Sequence, residues 1–111
     1  GDYIWTKQIG GAGEIGNVGT TNNGFSIQVD NPGQFVYITG QFEGTANFDM
    51  PGGSLDLTSE GNFDAYIQKM DAVDGSPIWL KQVGGTDNDA GEGIIVDAAS
   101  NVLVVGSFKS T

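Results

Sequence analysis

Apolar residues along this chain occur in short runs, and none of the runs follows the 3.6-residue spacing of an amphipathic helix. Clusters of turn residues separate the runs, including Asn31-Pro32-Gly33, Pro51-Gly52-Gly53 and Asp74-Gly75. Gly, Pro, Asn and Asp in such clusters mark tight turns between strands. The pattern therefore predicts an all-β protein built from hairpins.

The predicted strands are short. They lie at residues 3–9, 25–30, 35–42, 64–70, 78–83, 94–96 and 102–108, with a small extra hairpin at 46–50 and 54–58. In the last strand, Val102 and Val104 share one face while Leu103 and Val105 share the other. Because both faces are apolar, we expect both to be covered.

Three blocks of sequence recur in the same order along the chain. Residues 5–11 return as 79–85 with five of seven positions identical, and residues 24–30 return as 91–97 with four of seven. Residues 36–45 return as 102–111 with four of ten. Internal recurrence of this kind is typical of repeat architectures.

Equivalent residues in these blocks form three pairs, which we interpret as structural repeat positions: Trp5 and Trp79, Asp30 and Asp97, Gly40 and Gly106. The tryptophans are predicted to pack in a core or between sheets, and the alternative is an aromatic platform for a sugar. Each aspartate follows a strand, where an Asx-type contact to the backbone is the expected role.

The recurrence favours β-propeller blades, which are four-stranded antiparallel meander sheets stacked face to face. A β-sandwich is the competing architecture, but it does not require a repeat. The phasing divides the chain into the last strand of one blade with its loop (1–23), a complete blade (24–85) and the first strands of a third (86–111). The chain would thus hold about one full blade and parts of two neighbours.

The blocks W-x-K-Q-[IV]-G-G, G-x-x-I-x-V-D and V-x-[IV]-x-G-x-F, together with residues 57–71 (LTSEGNFDAYIQKMD), resemble the bacterial beta-propeller repeat family often abbreviated SBBP. The resemblance implies blades of a large, secreted or surface-attached bacterial protein. It implies no activity.

Composition excludes several kinds of site. The 111 residues include no Cys and no His, which removes disulfides, Cys/His zinc sites and Ser-His-Asp triads. A net charge of -10 makes nucleic acid a poor partner. No apolar run is long enough to span a bilayer, so we expect no membrane insertion.

The best candidate for a metal site is the acidic loop that contains Asp87, Asp89 and Glu92. Carboxylates two residues apart on an irregular loop can converge on Ca²⁺, which accepts six to eight oxygen ligands. A solvated acidic loop without metal is the simpler interpretation. We otherwise expect no cofactor and no catalytic residue.

These observations predict a non-catalytic structural or interaction module that lies outside the cell or on its surface. Its partners would be the rest of the same propeller or other copies of the chain, and its rim loops would face a protein or glycan. The alternatives are a calcium-dependent carbohydrate-binding or adhesive module, and a fragment of a glycan-degrading enzyme with two close carboxylates.

Overall fold

The computed structural model describes residues 26–30 and 33–109, which form two antiparallel sheets. The first sheet has the order β1-β2-β3-β4, with strands at Ser26–Val29, Phe35–Met50, Gly53–Asp71 and Pro77–Val83. The second sheet pairs β5 (Ala90–Val96) with β6 (Val102–Ser107). The described residues are therefore all-β, and they contain no helix long and apolar enough to cross a bilayer.

The predicted division into segments can be compared with these sheets. The first sheet lies within residues 24–85 and the second within 86–111. The predicted strand at 3–9, which includes Trp5, and the rest of the segment 1–23 lie outside the described residues. The order of the first sheet is that of a four-stranded meander.

The predicted hairpin at 46–50 and 54–58 is confirmed, but it belongs to a longer one. β2 and β3 are continuous strands of 16 and 19 residues, and the predicted hairpin is their distal end. The pairing runs from Phe35 opposite Asp71 to Met50 opposite Gly53, interrupted by one irregularity between Glu43 and Thr45. The sequence in this region suggested a break because the irregularity is rich in turn residues.

A bulge at this irregularity bends the long hairpin. Gly44 has a φ of 64°, a left-handed conformation that glycine adopts readily. Its N–H donates to the Ser59 hydroxyl at 3.0 Å, while the Glu60 N–H donates to the Asp64 carboxylate at 3.1 Å. The Gln82 side-chain amide donates to the same carboxylate at 2.6 Å. These bonds satisfy polar groups that the bulge removes from the ladder.

The hydrophobic core lies where the bent hairpin packs against its own sheet. Phe42, Ala46, Phe48 and Tyr66 are fully buried there. The Phe48 ring lies 5.1 Å from the Tyr66 ring and 5.6 Å from the Phe42 ring, between centroids. Burial raises the pKa of the Tyr66 phenol well above its ordinary value. We call this side of the first sheet the core face; Ile38, Leu57 and Leu80 pack against the same cluster.

The opposite side of the first sheet is the junction face, which carries Tyr37, Thr39, Gln41, Phe63 and Trp79. The second sheet packs on it through β5. Gly91 of β5 lies so close to Thr39 that a Cβ atom on the glycine would overlap the threonine hydroxyl. Tyr37 and Thr39 are consequently buried.

The two sheets begin with hairpins of the same register. Ile27 pairs with Ile38 in the first sheet, as the recurring residue Ile94 pairs with Val104 in the second. All four residue pairs of the β1–β2 ladder have counterparts in the β5–β6 ladder at the positions that the sequence blocks align. The recurrence in sequence thus coincides with a recurrence in strand pairing.

The second sheet has one face on the first sheet and one face in solvent. Its inner face is formed by Ile94, Val96, Val102 and Val104, which are buried or half-buried. Its outer face is formed by Ile95, Leu103 and Val105, which are 59%, 56% and 61% exposed. The described residues leave this outer face in solvent, and its coverage by a neighbouring sheet stays a prediction.

Replacing Phe48 by Ala should destabilise the fold strongly. A fully buried phenylalanine contributes about 3–5 kcal/mol relative to alanine, so the urea midpoint of unfolding should fall substantially. Leu55 pairs with Phe48 across the same hairpin end but is 44% exposed. Leu55→Ala should therefore lower the free energy of unfolding by about 1 kcal/mol or less. If Phe48→Ala and Leu55→Ala lowered it equally, the hairpin end would not pack on the core face.

Candidate functional site

A buried aspartate joins the two sheets. Asp89 is 2% exposed, and its backbone N–H donates to the Phe63 carbonyl of β3 at 2.8 Å. One carboxylate oxygen accepts from the Gly85 N–H at 2.9 Å, and the other accepts from the Lys109 N–H at 2.9 Å. The backbone of Asp89 thus links its loop to β3, and its carboxylate links the start of the same loop to the end of β6. The carboxylate needs its two donors because an unpaired buried carboxylate is costly.

An open pocket of about 250 Å³ lies beside this aspartate, at the junction of the sheets. We call it the junction pocket. The first sheet contributes Gln41 and Phe63, the loop before β5 contributes Asn88 and Asp89, and the remaining lining residues come from the second sheet and its end: Ala90, Glu92, Ser107 and Lys109. Its lining combines one aromatic ring with amide, hydroxyl, carboxylate and ammonium groups.

Two of the three predicted metal ligands line this pocket. Asp89 uses both carboxylate oxygens on backbone N–H groups, and Glu92 is the extra residue of a bulge between Gly91 and Gly93. Asp87 is exposed on the loop. Among residues 26–30 and 33–109, the structure brings together no group of three His, Cys, Asp or Glu side chains suited to a metal ion. Calcium binding by this loop stays a prediction.

Trp79 lies on the junction face and is half-buried. Its ring packs at a tilt against Tyr37, with 6.2 Å between centroids. Beside them, the Lys69 ammonium lies 3.9 Å from the centre of the Phe35 ring, a cation–π contact. The surroundings of Trp79 are those of a residue packed on a sheet; the equivalent Trp5 lies outside the described residues.

Asp30 and Asp97 occupy corresponding turns. The Asp30 carboxylate accepts from the Gln34 and Phe35 N–H groups at 2.7 and 2.8 Å. The Asp97 carboxylate accepts from the Ala99 N–H at 2.9 Å, a contact of the expected Asx type two residues on. Each aspartate organises the turn that follows its strand.

A hydrogen-bonded environment stabilises the charge of Asp97. The Asn101 side chain donates to this carboxylate at 3.0 Å, and backbone N–H groups of Asn101 and Ala99 donate as well. These bonds, that from the Asn101 side chain first, hold the pKa of Asp97 below its ordinary value.

The repeated glycines occupy corresponding positions in β2 and β6. Gly40 is buried and pairs with Tyr66 of β3, while Gly106 pairs with Gly91 of β5 and is exposed. A Cβ atom on Gly106 would overlap the Ala90 carbonyl. Close backbone approach therefore requires glycine at this position in β6.

The apolar surface of the second sheet could not be identified as exposed from the sequence. The apolar pattern predicts that Leu103 and Val105 are covered, and the described residues leave them, with Ile95, in solvent. The sequence has apolar residues on both faces of β6. This pattern does not reveal which of the two faces packs on the rest of the chain. The junction pocket was also missed, because Gln41 and Phe63 reach it from a distant strand pair.

Comparisons with protein-family models, with curated proteins and with solved structures find no match to this chain.

Asp89→Asn should destabilise the protein although it preserves size. The amide offers one acceptor oxygen where two backbone N–H groups need acceptors, so one donor would face an NH₂ group at a cost of about 1–3 kcal/mol. Thermal and urea unfolding would measure the loss. Asp87→Asn on the same loop is the matched control and should change stability by about 0.5 kcal/mol at most. Similar effects of both substitutions would contradict a stabilising role for the hydrogen bonds to the Asp89 carboxylate.

Ser100→Gly should stabilise the turn after β5. Ser100 has a φ of 66°, and Gly33, which likewise lies three residues after the turn aspartate, has a φ of 90°. A non-glycine residue in this region costs about 1–2 kcal/mol, offset in part by the entropy of glycine, so the net gain should be roughly 0.5–1 kcal/mol. Gly33→Ser should have the opposite effect and destabilise the protein. A Cβ atom at Gly33 would meet no other atom, so the change would report the left-handed backbone conformation alone. Unfolding curves in which both variants move in the same direction would contradict this account.

Proposed function

We propose that this chain is a non-catalytic structural and interaction module whose sheets stack head to tail with further sheets of the same kind. These sheets would belong to the same propeller or to other copies of the chain. The observation that carries the proposal is the outer face of Ile95, Leu103 and Val105, an exposed apolar surface on a regular sheet. Contiguous exposed apolar surface marks interaction sites.

The packing inside the chain supports this choice of partner. The inner face of the second sheet lies on the junction face of the first. Residues on the outer face recur with residues on the junction face: Leu103 corresponds to Tyr37 and Val105 to Thr39, both of which are buried by the second sheet. A third sheet on the outer face would repeat a contact that the chain already makes.

The surface that would meet the outer face is also exposed. Ile27 and Val29 lie on the core face at β1, where they are 65% and 46% exposed. They recur with Ile94 and Val96 of the inner face, which pack on the first sheet. The two ends of the stack are therefore complementary, as a head-to-tail contact requires.

The remaining parts of the proposal extend this role. The loops around the junction pocket would be offered to a protein or glycan partner, because loops on a rigid scaffold commonly carry binding. The resemblance of the repeated blocks supports a place in a secreted or cell-surface bacterial propeller. The net charge of -10 suits an exposed, solvated surface.

Head-to-tail stacking makes a specific prediction about mixing two variants. Leu103→Glu places a charge on the outer face, and Ile27→Glu places a charge on the apolar surface at the opposite end of the stack. Each substitution alone should abolish the concentration-dependent association of the chain. An equimolar mixture should form a heterodimer, because each variant retains the surface that the other lacks. Sedimentation velocity on the two variants and their mixture would measure this.

Val73→Glu provides the matched control. Val73 is 78% exposed in the turn between β3 and β4, outside both proposed surfaces, and the substitution adds the same charge. It should leave association unchanged. A chain that stays monomeric at every concentration, or variants that fail to complement each other, would contradict head-to-tail stacking.

A further inference from the structure

The free edge of β6 differs from that of β4. β6 pairs with β5 on one side, and no described strand lies on its other side. Its sequence, Val-Leu-Val-Val-Gly-Ser, carries no charge and no proline. β4, one of the two edge strands of the first sheet, contains Pro77 and Lys81, which are the residues that commonly keep an edge from pairing with another strand. The β6 edge lacks this protection.

The first sheet shows what kind of strand fits such an edge. β2, the counterpart of β6, has β1 on one side and β3 on the other. Since the β1–β2 and β5–β6 ladders share one register, the β2–β3 ladder gives the register for a strand beside β6. A register error of one residue would turn every side chain to the wrong face.

We propose that the open edge of β6 is a docking site for an added antiparallel strand with the side-chain pattern of β3. The inference rests on the proposed function. It adds which strand the further sheet would contribute and the register in which that strand would pair with β6. The β2–β3 pairing gives the expected partners of β6 on the inner face. Val102 would pair with the residue equivalent to Met70. Val104 would pair with the equivalent of Gln68, and Gly106 with the equivalent of Tyr66. On the outer face, Leu103 would face a lysine and Val105 an isoleucine, the equivalents of Lys69 and Ile67.

The aromatic residue expected opposite Gly106 has a counterpart in the first sheet. In the first sheet, Tyr66 lies opposite Gly40, and its ring is fully buried. In the second sheet, Gly106 is followed by Ser107, which lines the junction pocket with its pairing partner Ala90. A ring beside Gly106 would extend the apolar contact of the inner face at the border of that pocket. The partner is therefore a strand with an aromatic residue at this place.

The test uses a synthetic peptide of residues 63–71, added to the complete chain. It should bind saturably, as measured by fluorescence anisotropy of the labelled peptide, and it should slow amide hydrogen exchange in Val102–Ser107. Tyr66→Ala in the peptide should weaken binding by about tenfold, since truncating one well-packed aromatic commonly costs more than 1 kcal/mol. Gln68→Pro made together with Lys69→Pro in the peptide should abolish binding, because every second N–H of an antiparallel strand points to its partner and one of two adjacent prolines must remove such a donor.

Two variants of the chain separate pairing at the edge from adhesion to an apolar face. Val105 and Ile95 both lie on the outer face and are similarly exposed, but Val105 is on β6 and Ile95 on β5. Val105→Lys places a charge opposite the peptide isoleucine and should weaken binding about tenfold, whereas Ile95→Lys should change it by about twofold or less. Equal effects of the two substitutions, equal binding of the peptide with both prolines, or protection that omits β6 would overturn the proposal.

The outcome is distinguishable from that of the stacking experiment. Complementation between Leu103→Glu and Ile27→Glu reports contact between sheet faces, while the peptide reports pairing at the edge. Variants that complement each other together with a peptide that does not bind would remove the strand site and leave the proposed function standing. Binding of the peptide without complementation would remove head-to-tail stacking of copies and leave the strand site.

Discussion

The fold depends on a carboxylate that is buried where three segments meet. Asp89 is acceptable in this position only while the Gly85 and Lys109 N–H groups reach it, and while its own N–H reaches the Phe63 carbonyl. The requirement to satisfy the buried carboxylate thus fixes the end of β6 against the loop before β5, and the backbone bond to Phe63 fixes that loop on β3. The position of the second sheet on the junction face, and with it the outer face and the pocket, follows from that constraint.

Local pattern was sufficient to predict most strands but not the bend in the long hairpin. β4 and β6 lie close to the predicted ranges, because apolar alternation and turn residues are properties of neighbouring residues. The continuity of β2 past Gly44 depends on packing between Phe48 and Tyr66, which are 18 positions apart. Periodicity carries no information about such a contact, so the distal strands were predicted as a separate element.

The candidate site was harder to predict than the fold for a similar reason. The sequence marks Asp89 as a candidate metal ligand in an acidic loop, whereas its partners in the structure are backbone groups that no side-chain pattern reveals. The turn aspartates Asp30 and Asp97 were easier, because most of their donors lie within five residues. The exposure of Leu103 required the structure, since a sheet that is apolar on both faces does not indicate which partner covers each face.

The direct connection between β2 and β3 also has a consequence for the order of folding. Only the turn around Gly52 separates these strands, so their many pairs can close progressively from a short loop, which is a fast route. The bond from the Asp89 N–H to the Phe63 carbonyl joins the loop before β5 to β3 and needs both sheets in place. The first sheet is therefore expected to serve as a preformed template, and docking of the second sheet to be the late event that completes the native state.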